Sequence, residues 1–269
     1  PDQPALTYAL RGILYTQIEV VGPTRDLHSG VFGGAVQNPA NALANIITAL
    51  KDADGRITVP GFYDKVRELS ESEKQAYAAM PFDEKAFIAE AGSPMGWGEK
   101  GRSTLERIWS RPTLDVNGMW SGYTGEGSKT VLPSFAAAKV SCRLVPDQDP
   151  DALFEAFAAH VKSLAPPTVT VTVKNLHGAQ PWITEPDHPM IQAAVRALGR
   201  AWTKKPALIR EGGSIPVMAT FQRTLGLPCI LMGFGLTDDQ VHAPNEKFSL
   251  TSFHGGTRSC AYLYEELAK

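Results

Sequence analysis

Two short stretches carry residue types suited to hydrolytic chemistry. They are Arg210-Glu211-Gly212-Gly213-Ser214-Ile215-Pro216 and, downstream, Asp238-Asp239-Gln240-Val241-His242. The apolar run Ala207 to Ile209 leads into the first, and an amphipathic helical pattern follows it. A strand turning into a helix at this point leaves backbone N–H groups unpaired and open to an anion. Pro216 suits the first helical turn, where its missing N–H is one of those orphans in any case. His242 lies in a Gly/Asp-rich loop after the next apolar run, Cys229 to Met232, read as a strand. An anion cradle and a histidine at neighbouring strand ends are what a hydrolytic site in an open α/β sheet needs.

Each residue has a plainer reading beside the chemical one. His242 is the best metal candidate, yet zinc takes about three or four protein ligands. No H-E-x-x-H, H-x-D or paired-cysteine spacing supplies the others. Asp238 and Asp239 are either helpers or solvated loop carboxylates. Ser214 fails as a nucleophile because a G-x-S-x-G elbow would need glycine where Pro216 stands; a helix-start serine donating to a carboxylate is the better account. His28, in Asp26-Leu27-His28-Ser29-Gly30, sits in a loop whose glycines allow close approach to a ligand. His177 marks a change of rhythm in the chain and is either a cleft residue or a loop histidine. Arg143 interrupts an apolar strand, as a surface residue or as a bidentate clamp for a carboxylate. Thr130 reads as a turn residue leading into a strand. His160, His188 and His254 read as surface or capping residues.

The elements that must position these groups fall into two rhythms. Ile13 to Val21 is a strand, Asn38-Pro39 starts a helix with Leu43, Ile46, Ile47 and Leu50 on its apolar face, and Leu114 to Trp120 and Phe135 to Val145 are strands. Asp149-Pro150 caps another helix, and Thr168 to Val173 is a strand. Residues 56 to 102, with short helical patterns at Glu71 to Met80 and Asp83 to Ala91, read as an insertion. Without it the order is β-α-β-β-α-β, that of a ferredoxin-like sandwich. Beyond His177-Gly178 the chain alternates helix and strand, with too few strands for an independent sheet unless Leu6 to Leu10, or chain outside this sequence, completes it.

Composition narrows the partners. The chain has 269 residues, 43% hydrophobic and 20% charged, with a formal net charge of −2. That balance gives no basis for a nucleic-acid or anionic-membrane partner. No apolar run approaches the ~20 residues of a membrane span. Cys142, Cys229 and Cys260 are too widely spaced for a disulfide framework or a zinc ribbon, and a reducing cytoplasm is expected.

Taken together, the chain resembles the dinuclear-zinc exopeptidase and deacylase family of carnosinases, other dipeptidases, glutamate carboxypeptidase and aminoacylase. The resemblance rests on Leu10-Arg11-Gly12, Arg25-Asp26-Leu27-His28-Ser29-Gly30, Phe32-Gly33-Gly34, Asn38-Pro39, Gly61-Phe62-Tyr63-Asp64, Lys129-Thr130-Val131-Leu132-Pro133, Arg143-Leu144-Val145-Pro146, Arg210 to Pro216 and His242-Ala243-Pro244-Asn245-Glu246. Gly61-Phe62-Tyr63-Asp64 is most like the carnosinase-type branch. The resemblance implies a ferredoxin-like lid or dimerisation domain over 13–178, with 1–12 and 179–269 forming the C-terminal part of an α/β zinc-peptidase catalytic domain. It implies His242 as a metal ligand and His28 as the lid histidine that steadies the oxyanion in a partner subunit's site. It implies Thr130, Arg143, His177, Gly213 and Ser214 as substrate-binding residues. The expected substrate is a short peptide or an N-acyl amino acid, and the expected assembly is a homodimer through the lid. The complete enzyme would hold two zinc ions, but the motifs carrying most of their ligands are not in this sequence. The chain alone is therefore expected to bind little zinc and to be inactive. A deacylase and a non-catalytic dimerisation or peptide-binding module are the alternatives.

Overall fold

The computed structural model describes residues 3–236 and 238–269; Pro1 and Asp2, at the start of the segment expected over 1–12, lie outside it. In chain order the strands and helices begin β1 (Ala5–Leu10), β2 (Gly12–Val21), β3 (Leu27–His28), α1 (Ser29–Phe32), α2 (Pro39–Ala49), α3 (Glu71–Ala78) and α4 (Glu84–Glu90). There follow β4 (Thr113–Ser121), β5 (Val131–Leu132), β6 (Phe135–Leu144), α5 (Pro150–Ser163) and β7 (Thr170–Ala179). The chain closes with β8 (Trp182–Ile183), α6 (Pro189–Ala201), β9 (Ala207–Glu211), α7 (Pro216–Leu225) and α8 (Leu250–Leu267). Two compact units result, one of residues 1–10, 69–80 and 182–269 and the other of 11–68 and 81–181.

The second unit is built on an antiparallel sheet in the order β4-β6-β2-β7. With α2 and α5 as the two crossovers, that is the ferredoxin-like arrangement expected from the element order. Residues of β2 alternate strictly between buried and half-buried, as a sheet with one covered face requires. Leu14, Ile18, Val140 and Leu144 meet Leu43, Ile46, Phe157 and Val161 in the core. Asn38 caps α2 by accepting from the Ala40 N–H at 2.8 Å, and Asp149 caps α5 by accepting from Asp151 and Ala152 N–H, both at 2.9 Å. Ser103 and Glu106 form a reciprocal capping box, at 2.7 and 3.3 Å, and the turn it opens is the wider π type over Glu106–Ser110.

In the first unit β1 is the middle strand of β8-β1-β9, parallel to β9 and antiparallel to β8. Residues Leu6 to Leu10 thus join this sheet, one of the two expectations for its missing strand. The run Cys229 to Met232 departs from expectation, because it makes only the single bridge Leu231↔Thr7. The reason is competition for one edge. Trp182 and Ile183 pair with Leu10 and Ala9, and the Thr184 N–H donates to the Tyr8 carbonyl at 2.9 Å, leaving Leu231 little of β1 to pair with. Helix α6 packs on the sheet and α8 on α6, with Leu6 of β1 meeting Ile191, Ala194 and Leu198 of α6 in the buried core. The segment 69–80, which lies within the stretch read as an insertion, packs as part of this unit. Among the described residues no helix is long and apolar enough to cross a membrane.

Candidate functional site

Arg143 and His177 stand on strands flanking β2 in the second unit. Arg143 is opposite Ile13 and His177 is opposite Tyr15. Directly paired residues share a face, so Ile13, Tyr15, Arg143 and His177 all lie on the sheet face turned away from α2 and α5. Arg143 is half-buried and His177 exposed. The register of β7 slips between Tyr15 and Thr16, leaving Leu176 as an extra residue just before His177. Such a bulge re-aims side chains, and here the imidazole stacks on the Tyr15 ring with centroids 5.2 Å apart and planes 6° from parallel.

Arg11 joins this group. Burial first, and the Arg143 charge second, bring its guanidinium down to about 10. A second positive charge close enough to oppose protonation of Arg11 makes this place an electrostatic invitation to an anion. Gly12 lets the chain pass at that point, since a Cβ there would lie 2.5 Å from the Ala179 carbonyl oxygen. Sequence reasoning quoted Arg11 only as part of a matching motif and missed Tyr15. The signal available was an arginine flanked by apolar strands.

His28 and Thr130 are brought together by a short two-stranded ribbon. Leu27 pairs with Leu132 and His28 with Val131, and the Ser29 N–H donates to the Thr130 carbonyl at 3.1 Å. The His28 side chain turns back so that Nδ1 accepts from the Gly30 N–H at 3.0 Å. An accepting Nδ1 makes Nε2 the N–H donor of the neutral ring, on an exposed side chain. The glycines are sterically required: a Cβ on Gly30 would lie 2.9 Å from the His28 ring, and one on Gly33 would lie 2.4 Å from the Ser29 carbonyl oxygen.

Gly213, Ser214 and His242 belong to the first unit. Helix α7 begins at Pro216, two residues after the start at Ser214 that the pattern suggests, and its preceding residue Ile215 offers no side-chain cap. Gly213 is exposed, and a Cβ on it would meet nothing within 4 Å, so space rather than packing surrounds the loop. Behind it lies a largely buried polar triad. Arg210 Nε donates to Tyr8 Oη at 2.9 Å, the Tyr8 hydroxyl donates to Glu73 Oε1 at 2.7 Å, and the Arg210 guanidinium also donates to the Glu73 carboxylate. Burial pushes the Glu73 carboxyl up, but hydrogen bonds from Tyr8, the Ser70 N–H and Arg210 outweigh it and hold it at about 2.

His242 is exposed and sits at φ +65°, its backbone N–H donating to Glu246 Oε2 at 3.3 Å. The neighbouring carboxylates are otherwise engaged. Lys247 Nζ lies 2.9 Å from Asp238 and 3.1 Å from Asp239, and Asp239 also accepts from the Leu236 N–H at 2.6 Å. Among the described residues no group of three or more His, Cys, Asp or Glu side chains is placed to hold a metal ion. The donors present therefore do not fit a zinc centre by themselves, and His242 contributes one ligand at most.

With this geometry in hand, comparison with known proteins is informative. The description "Peptidase dimerisation domain" of the M20 peptidases matches residues 8–169. The chain belongs to this family. It is 34% identical over 267 residues to the Cys-Gly metallodipeptidase DUG1 of Candida albicans, a match covering 97% of this chain and 55% of that protein. It is 31% identical over 270 residues to the Beta-Ala-His dipeptidase of Homo sapiens, covering 99% and 53%. Among solved structures, the M20 family metallo-carboxypeptidase Sso-CP2 of Sulfolobus solfataricus superposes with a TM-score of 0.85 at 29% identity, covering 99% of this chain and 61% of that one. Human carnosine dipeptidase 1 gives 0.77 at 30% identity, covering 99% and 57%. The M20 chain described here spans about half the length of the curated relatives it matches.

Proposed function

We propose that this chain is the substrate-holding and dimer-forming portion of a metallodipeptidase that hydrolyses short peptides. The observation that carries the reading is the collinear 34% identity to a Cys-Gly metallodipeptidase across nearly the whole chain. In this reading 11–68 and 81–181 form the lid, and 1–10, 69–80 and 182–269 form the C-terminal part of the catalytic domain. Arg143, supported by Arg11, takes a substrate carboxylate, with His177 and Thr130 as the other substrate-binding residues of the second unit and Gly213 and Ser214 as those of the first. His28 donates from Nε2 to the developing oxyanion of a partner subunit's substrate. His242 is a metal ligand whose companions come from outside this sequence. No hydrolytic step is assigned to the metal from these residues.

A homodimer through the lid is part of the proposal. It is supported by β4, a sheet-edge strand that leaves Val116, Met119 and Trp120 at least 40% exposed. Three free thiols agree with residence in a reducing cytoplasm.

The test is a substrate panel of Cys-Gly, β-Ala-His and N-acetyl amino acids, run on this chain and on a full-length protein containing it, with metal analysis of both. The expected result is dipeptide hydrolysis by the longer protein only, with well under two zinc per chain in this polypeptide. In the longer protein, Arg143→Ala should raise KM at least as much as it lowers kcat. Faster cleavage of N-acyl amino acids would make it a deacylase, and no hydrolysis by either would make it a binding module. A stoichiometric zinc pair in this chain would overturn the assignment of ligands.

A further inference from the structure

A cleft of about 170 Å³ opens in the second unit, on residues that no part of the hydrolytic reading uses. Its walls include Lys51, Ile57, Trp97, Arg107, Ile108 and Asp115. Ile57 is buried and Ile108 half-buried, and Trp97 stands at the mouth with 72% of its surface exposed. The volume is on the order of the ~150 Å³ cavity known to admit benzene.

The charges around this cleft do not balance internally. Glu99 is consumed by Arg56 at 2.7 Å and by a two-pronged contact from Arg111, both prongs at 2.8 Å. Asp115, mostly exposed, is 3.9 Å from Lys51 Nζ, beyond hydrogen-bonding distance. Lys51 instead points its ammonium at the Trp97 ring, 4.7 Å from the centroid. Burial, against the weaker pull of Asp115, lowers its affinity for the proton. Among the described residues the Arg107 guanidinium makes one hydrogen bond, from Nε to the Glu99 carbonyl at 3.0 Å, and no ion pair. Its two terminal nitrogens remain for another acceptor.

We propose that this cleft binds a small organic carboxylate with a benzene-sized apolar body, the carboxylate taken by Lys51 and Arg107 and the body lodged against Trp97, Ile57 and Ile108. Arginine's planar fork and a nearby ammonium match a carboxylate in geometry and sign. An amine of the same shape would face two cations against the single carboxylate of Asp115. The inference does not depend on peptidase activity, so it is tested on this 269-residue chain directly.

Phenylacetate titrated by calorimetry should bind with a Kd of about 1 mM or below. 2-Phenylethylamine should bind at least about tenfold more weakly. Lys51→Met should weaken phenylacetate about tenfold, and Lys51→Arg should leave it within about threefold, each step of ten being about 1.4 kcal/mol. As a check that does not need the lysine variants to fold, phenylacetate should shift one indole N–H resonance that is missing in Trp97→Phe. No saturable binding up to about 10 mM, equal binding of the amine, or an unchanged Kd in folded Lys51→Met would each overturn the proposal.

Discussion

At the scale of single residues, His28 is the clearest case of geometry adding to sequence. Its position in a glycine-rich loop was legible, but the direction of its donor was not. That direction follows from Nδ1 accepting the Gly30 N–H, a contact set by a turn two residues long. In a full-length enzyme, His28→Ala should lower turnover roughly 100-fold, as removal of an oxyanion donor does, with metal content unchanged by elemental analysis. Arg210 was readable as part of a motif, whereas its partners were not, because Tyr8 and Glu73 lie far away in the sequence. Removing one member of a largely buried ion pair leaves the other uncompensated. Glu73→Gln should therefore cost about 2 kcal/mol of stability in urea unfolding, less than a fully buried pair because Glu73 keeps some exposure. The carboxyl is held at about 2 against an ordinary 4.5, so its contribution is present above 4.5 and is lost as pH falls towards 2. Over that acid interval wild type should lose more stability than Glu73→Gln, a difference that a series of unfolding curves would detect.

At the scale of elements, most strands and helices could be read from period and caps, since Asn38, Asp149 and Pro216 announce their helices in local chemistry. What could not be read depends on partners far along the chain. Leu231 would have extended a strand had β8 not taken the Ala9–Leu10 end of the same edge. The bulge at Leu176 that sets the face of His177 arises from register with β2, not from any signal within β7. Helix α8 shows a third kind of dependence. Gly255 and Gly256 look like liabilities in a helix, yet they admit the Trp202 and Phe234 rings, which stack with centroids 6.4 Å apart. A Cβ on Gly255 would stand 2.2 Å from the Trp202 ring. Gly255→Ala should thus destabilise by about 1–2 kcal/mol, overpacking exceeding the gain in helix propensity. Its urea midpoint should fall; a rise would show that Trp202 swings aside freely.

At the scale of the whole molecule, the assignment of the lid as a dimer-forming element leads to a solution measurement. Trp120→Lys places a charge on the exposed part of β4 without touching the buried face. Light scattering at micromolar concentration should show a dimer for wild type and a monomer for the variant; a wild-type monomer would count against the lid interface. The family was legible because its motifs run in order along nearly the entire chain. A metal centre was not, since among the described residues no three His, Cys, Asp or Glu side chains come together to hold an ion. One topological fact bears on how the molecule can be divided. Because residues 69–80 belong with 1–10 and 182–269, the polypeptide changes unit four times rather than twice. Trimming at the two obvious borders, near 10 and 181, would carry Glu73 off with the lid and strand Arg210 in an apolar interior with no counter-ion. An isolated lid would in turn drag along a helix bereft of its seat. Dissecting this protein cleanly calls for excising that strap from one piece and grafting it onto the other.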